Sequence, residues 1–94
     1  IDMRHAKLQI VNPLGLHARA ASKLVGVAKN FASDVKVVNA GGIEADAKRI
    51  MNLLLLGAPV GSEVELFVEG EDESEALAAL TELINAGFHE METS

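Results

Sequence analysis

The sequence predicts an α+β domain, a two-layer sandwich with the element order βαββαβα over residues 1–94. Three observations lead to this prediction. The chain has 94 residues and no cysteine, which allows one apolar core without disulfides. Some segments alternate apolar and polar residues, as half-buried strands do, and others repeat apolar residues at helical spacing. Strands with one apolar face and helices with one apolar stripe cover each other, so two layers are expected.

The spacing of apolar residues changes near His17, from the alternation of a strand to the three- and four-residue spacing of a helix. Residues 6–11 alternate before becoming continuously apolar, and residues 12–15, which contain a Pro and a Gly, end the strand. The inward residues of the strand are Ala6, Leu8 and Ile10. A helix then follows from His17, because apolar residues recur at three- and four-residue spacing. Its buried stripe comprises Ala21, Leu24, Val25, Ala28 and Phe31.

The middle of the chain predicts a hairpin followed by a short helix. Residues 35–38 form the second strand, and residues 40–42 form the turn into a short third strand at 43–45. Residues 48–56 are rich in Leu, Ile and Met and predict a short second helix, which ends at Gly57.

The last strand and helix have the clearest patterns. Residues 63–69 alternate between apolar and mostly acidic residues, which predicts a half-buried strand that ends at Gly70. Its inward residues are Val64, Leu66 and Val68. Asp72 is the predicted N-cap of the third helix, Glu75 completes a capping box, and the helix runs to about Gly87. Its apolar stripe comprises Ala76, Leu77, Leu80, Leu83, Ile84 and Phe88.

The two ends of the chain add little to the fold. Ile1 and Asp2 precede Met3, which is either a natural start or a residue internal to a longer parent protein. Residues 89–94 are interpreted as a polar tail. No apolar run reaches the roughly 20 residues that cross a bilayer, and the N-terminus lacks a signal-peptide pattern. With cysteine absent, we therefore expect a cytoplasmic protein without membrane insertion. We also expect a monomer.

Charge and histidine spacing exclude two classes of function. The net charge of −6 argues against binding to nucleic acid, which requires Lys and Arg against phosphates. The three histidines, His5, His17 and His89, have no spacing that suggests shared metal ligation. We therefore expect no metal and no other cofactor, and we interpret His5 and His89 as ordinary surface residues.

The stretch Gly15–Ala21 carries the predicted chemistry. It places His17 at the start of a helix, where backbone N–H groups have no internal partner, and Arg19 two residues later. An imidazole is a nucleophile near neutral pH, because an unperturbed one loses its proton at about pH 6.5. The helix start and the guanidinium would hold a phosphoryl group on His17, which predicts a phosphate carrier.

Three segments resemble the HPr family of phosphocarrier proteins, and the resemblance covers nearly the whole chain. They are residues 12–24 (NPLGLHARAASKL), 42–48 (GIEADAK) and 53–55 (LLL). The resemblance implies an open-faced sandwich, with an antiparallel sheet in the order 1-4-2-3 and three helices on one face. Residues 75–80 and 85–88, together with the pattern Asn12-x-Leu14-Gly15 before the histidine, look more like the nitrogen-related branch of the family than the sugar-transport branch, and both assignments stay open.

The resemblance also implies a reaction. Enzyme I, charged by phosphoenolpyruvate, transfers a phosphoryl group to Nδ1 of His17, Arg19 pairs with the phosphate, and a histidine of an enzyme IIA accepts the group. The family usually has proline where this chain has Ala20, which keeps its N–H. Backbone donors to the phosphate are therefore expected at Ala18, Arg19 and Ala20. Arg49 occupies the position of the family's regulatory serine, so the serine-kinase switch of some members should be absent.

Partner docking is expected on a basic and apolar surface. Lys23, Lys48 and Arg49 belong to two short basic segments, which suggests a face for an acidic protein partner, although each charge alone could be ordinary solvated surface. Ile50 and Met51 match the family's docking patch. By helical phase, only one or two apolar residues of this helix, Ile50 or Met51, should face outward.

A rival interpretation is an HPr-like regulatory or adaptor domain that binds protein partners without obligatory phosphotransfer. Retention of both His17 and Arg19 favours the carrier. A stand-alone catalyst is not indicated, because the sequence has no nucleophile–base–orienter set and no Gly-rich phosphate loop.

Overall fold

The computed structural model describes residues 4–89, and its element order is the predicted one. The interpretations of Met3 and of residues 90–94 lie outside the described residues. The elements are β1 Arg4–Gln9, α1 Ala18–Ala28, β2 Asp34–Asn39, β3 Glu44–Asp46, α2 Ile50–Leu56, β4 Glu63–Glu69 and α3 Glu73–Asn85. A short helical turn over Gly87–His89 follows α3.

The four strands form one antiparallel sheet in the order β1-β4-β2-β3, as the family resemblance implies. Leu66 of β4 lies opposite Ala6 of β1 and Val37 of β2, so inward residues of neighbouring strands share one face. The three helices cover that face and leave the other open. The core between the layers includes Ile10, Leu24, Val37, Leu53, Val64, Leu66, Val68, Leu80, Ile84 and Phe88.

Most element boundaries differ from the predicted ones by one or two residues, and both ends of β1 and the start of α2 differ by two. β1 spans Arg4–Gln9 rather than residues 6–11. Just beyond it, the N–H of Ile10 donates to the Ser62 carbonyl (2.9 Å) and its carbonyl accepts the N–H of Gly61 (2.7 Å), so two residues before β4 face one residue and the regular ladder ends. Ile10 is nevertheless buried, as its place in the alternation predicts. α2 begins at Ile50, with Arg49 as its N-cap in an extended conformation, rather than at residue 48.

The predicted capping box of α3 is wrong. Asp72 is the N-cap residue, but its carboxylate accepts the N–H groups of Ala32 (2.9 Å) and Ser33 (3.0 Å) and the Ser33 hydroxyl instead of capping its own helix. The hydroxyl and these N–H groups lower the pKa of Asp72. Glu75 is exposed, and it is the neighbouring Glu73 whose carboxylate accepts the N–H of Gly70 (3.1 Å). A tertiary partner therefore replaces the local cap.

Gly70 completes this connection between the start of α3 and the α1–β2 loop. It has a φ of +153°, and a Cβ added there would lie 2.6 Å from the Cα of Ser33. The two backbones touch where β4 ends, and any side chain at position 70 would push them apart. We call Gly70, Ser33 and Asp72 the α3 joint.

Candidate functional site

The loop that leads to His17 is held in place on two sides. Gly15 has a φ of +68°, and a Cβ there would lie 2.7 Å from the Ala58 carbonyl oxygen, so only glycine fits. The next N–H, that of Leu16, donates to the same Ala58 carbonyl (2.9 Å). On the other side, the buried side chain of Asn12 donates through Nδ2 to the Gly15 carbonyl (2.7 Å). The loop is therefore rigid where the histidine begins.

His17 is the N-cap of α1, which confirms its predicted place at the start of this helix. Its backbone is extended, its side chain is half-buried, and Nδ1 accepts the N–H of Arg19 at 3.3 Å. Its carbonyl accepts the N–H of Ala21 (2.8 Å), the first bond of the helix. An accepting Nδ1 assigns the proton of the neutral ring to Nε2. The lone pair of Nδ1 thus faces the positive end of α1.

The donors around Nδ1 suit a dianionic group. Arg19 is exposed, and its guanidinium makes no ion pair with any residue between 4 and 89. No main-chain hydrogen bond within that range occupies the N–H of Ala18 or Ala20. The methyl group of Ala20 is fully buried in the core, which anchors the first turn. An oxyanion bonded to Nδ1 would meet the helix start and the charge of Arg19 together.

The structure separates the three cations predicted for docking. The ammonium of Lys23 donates to the Phe88 carbonyl (2.7 Å), and that of Lys48 donates to the Phe31 carbonyl (2.9 Å). Lys23 therefore ties α1 to the turn after α3, and Lys48 ties the loop before α2 to the loop after α1. Arg49 is 74% exposed and only loosely paired with Asp46, at 3.7 Å between Nε and Oδ2. Arg49 is thus the most available of the three.

The helix α2 presents an apolar surface larger than predicted. Ile50, Met51, Leu54 and Leu55, which we call the α2 apolar surface, are all exposed, with Met51 at 62% and Leu55 at 77%. The expectation of one or two outward residues is wrong, because this seven-residue helix buries only Leu53 and Leu56.

Sequence reasoning missed Leu54 and Leu55, and it also missed Leu14, which is 71% exposed in the loop before His17. In a continuous run of apolar residues there is no apolar–polar periodicity, so the sequence does not show which of them face solvent.

The remaining histidines lie elsewhere. His5 is on the open face of the sheet, where Nδ1 lies 3.1 Å from a Glu65 carboxylate oxygen and the ring stacks on Phe67 at 5.8 Å. His89 is exposed in the turn after α3. Within residues 4–89, no three acidic or histidine side chains come together as a metal site. None of the helices in that range is long and apolar enough to cross a membrane.

Comparisons with known proteins agree with this geometry. Residues 5–86 match the family model described as the PTS HPr component phosphorylation site. The chain is 48% identical to the phosphocarrier protein HPr of Pseudomonas putida over 86 residues, which cover 92% of this chain and 96% of that protein. It is 41% identical to the phosphocarrier protein NPr of Escherichia coli K12, over 88% of this chain and 92% of that protein. An HPr structure from Thermoanaerobacter tengcongensis matches at a TM-score of 0.87 and 39% identity, covering 93% and 97% of the two chains.

Proposed function

The chain belongs to the HPr family of phosphocarrier proteins of the phosphotransferase system, and on this basis we propose that His17 carries a phosphoryl group on Nδ1. The group comes from phosphorylated enzyme I, itself charged by phosphoenolpyruvate, and passes to a histidine of an enzyme IIA. One observation supports this proposal above the others. Nδ1 of His17 faces the start of α1, where it accepts the N–H of Arg19.

Each transfer is a displacement at phosphorus between two imidazoles. The lone pair of Nδ1 attacks, a P–N bond forms at His17, and the bond to the donor nitrogen breaks with its electron pair. The proton on Nε2 of His17 is released to solvent, and the departing donor imidazole takes up one proton. Atoms and charge therefore balance without any further reactant.

Phosphorylation changes the partner of the Arg19 N–H. That N–H loses Nδ1 as its acceptor and turns to a phosphate oxygen, while the guanidinium of Arg19 offsets part of about two negative charges. The N–H groups of Ala18 and Ala20 supply further donors.

Docking of enzyme I and of the enzyme IIA is proposed on the α2 apolar surface, with Arg19 and Arg49 as its charged margin. The exposed leucines and Met51 offer apolar contact area, and the two guanidiniums steer acidic partners. The same surface would serve donor and acceptor in turn. We propose that the protein acts in this way as a cytoplasmic monomer, in sugar transport or in nitrogen-related regulation.

The test is the intact mass of the protein after incubation with enzyme I and phosphoenolpyruvate. We expect one added, acid-labile phosphate, and none in a folded His17→Ala variant. His5→Ala and His89→Ala serve as matched controls and should label like the parent. Label that persists without His17 contradicts the proposal. Absence of label in the parent, with enzyme I still bound, would identify an adaptor domain instead.

A further inference from the structure

Asn12 is a buried polar side chain that the proposed reaction does not use. It is fully buried in the loop between β1 and α1, and Ser33 is the only other buried polar residue in the described part of the chain. A buried carboxamide costs free energy unless it is hydrogen-bonded, and loops seldom bury such groups. Its contacts should therefore show what it does.

Those contacts lead to the histidine through one oxygen atom. Nδ2 of Asn12 donates to the Gly15 carbonyl at 2.7 Å, and the N–H of His17 donates to the same oxygen at 3.0 Å. The main-chain carbonyl of Asn12 in turn accepts the N–H of Gly15 at 3.0 Å. The side chain of Asn12 and the backbone of His17 thus share one acceptor.

Gly15 cannot move away from this arrangement. Its α-carbon is packed against the backbone of Ala58 and Pro59, and its positive φ is set by the turn. The direction of its carbonyl is therefore decided by the two donors, Asn12 and His17. Loss of the carboxamide donor would leave the carbonyl held by His17 alone and free the peptide plane to rotate.

We propose, on the basis of the proposed function, that Asn12 is a positioning residue for phosphoryl transfer. Through the Gly15 carbonyl it fixes the backbone of His17, and so keeps Nδ1 aimed at the start of α1 with the ring proton on Nε2. Asparagine suits this role because it is neutral and donates, whereas the isosteric aspartate would set a second oxygen against the Gly15 carbonyl.

The variants are Asn12→Asp and Asn12→Ala, with Ser33→Ala as the control. Ser33→Ala also removes the hydrogen bond of a buried side chain, but this partly buried bond lies in the α3 joint rather than in the histidine loop. Two quantities are measured below the unfolding transition of every variant. One is the initial rate of phosphorylation by enzyme I, and the other is the ring-proton position of His17, from long-range ¹H–¹⁵N NMR spectra.

We expect both Asn12 variants to be phosphorylated at least about tenfold more slowly than Ser33→Ala, since small misplacements of a reacting group are costly. We also expect their His17 ring to show a mixture of the two tautomers, while Ser33→Ala keeps the proton on Nε2. A slower rate with an unchanged tautomer, a changed tautomer with an unchanged rate, or no difference from Ser33→Ala would each overturn the proposal. So would loss of folding in both Asn12 variants, which would make Asn12 structural only. Failure of the parent to accept phosphate would refute the proposed function instead, and the NMR result would still test Asn12.

Discussion

At the scale of single residues, the site depends on what each atom at the start of α1 can donate. His17 was predicted at a helix start, and it is the N-cap. Its use of Nδ1 as the cap acceptor could not be predicted, because the ring orientation depends on the loop behind it. That loop contains Asn12, whose carboxamide contact with Gly15 has no sequence signal of its own.

The first prediction concerns Ala20, which lies in the first turn of α1 and keeps a backbone N–H. Ala20→Pro removes one N–H near the phosphoryl group while keeping a residue tolerated in the first helical turn. If that N–H binds the phosphate, its loss removes about 1.5–3 kcal/mol and shortens the half-life of the phosphohistidine tenfold or more. The half-life is measured by mass spectrometry, together with the rate of transfer to an enzyme IIA.

Ala20→Gly keeps the N–H and serves as the control for loosening of the first turn. Its phosphohistidine should last much longer than that of Ala20→Pro. An equal or longer half-life in the proline variant would show that the Ala20 N–H does not contact the phosphate.

At the scale of elements, periodicity predicted which helix and strand faces are buried wherever apolar and polar residues alternate. It succeeded for β4 and for most of the α3 stripe, whose inward residues are buried except the partly buried Leu77. It failed for α2, where Leu53–Leu56 are all apolar and only packing against the sheet decides which are covered. The capping-box motif failed for α3, because the partners of Asp72 lie 39 and 40 residues earlier in the chain.

The second prediction separates two neighbouring cations at the start of α2. Lys48→Met keeps the length of the stem but loses the bond to the Phe31 carbonyl, and should lower the free energy of unfolding by about 1.5–3 kcal/mol. Arg49→Met loses only a loose surface pair and should cost less than about 1 kcal/mol. Urea unfolding measures both changes.

Phosphoryl transfer should show the reverse order. Arg49→Met should slow transfer most at low ionic strength, because an exposed charge steers a partner over a distance that salt screens. Rates at two salt concentrations test this expectation. Equal stability losses in the two variants would mean that the Lys48 ammonium does not anchor the loop before α2.

At the scale of the whole molecule, the α3 joint makes stability depend on pH. The pKa of Asp72 is lowered by the Ser33 hydroxyl and by the Ala32 and Ser33 N–H groups, so its charged form stabilises the fold. That contribution is complete above the ordinary pKa of an aspartate and is lost as the pH falls through the lower folded value.

Asp72→Asn should therefore be less stable than the parent near neutral pH, and the difference should shrink at an acid pH below the ordinary pKa of an aspartate. Urea unfolding at the two pH values measures this change. The exposed Glu75→Gln is the control and should differ little from the parent at either pH. A stability gap that stays constant with pH would exclude the charged form of Asp72 as its cause.

Gly15 lies close to the backbone of Ala58 and Pro59, which belong to the loop after α2. This contact restricts how far the length of that loop can change in evolution or in engineering. Surface loops between secondary-structure elements ordinarily accept inserted or deleted residues. The loop after α2 is different, because its backbone is the wall on which the histidine loop rests and the acceptor for the Leu16 N–H. One residue added between Gly57 and Gly61 would displace that wall and carry the nucleophile with it.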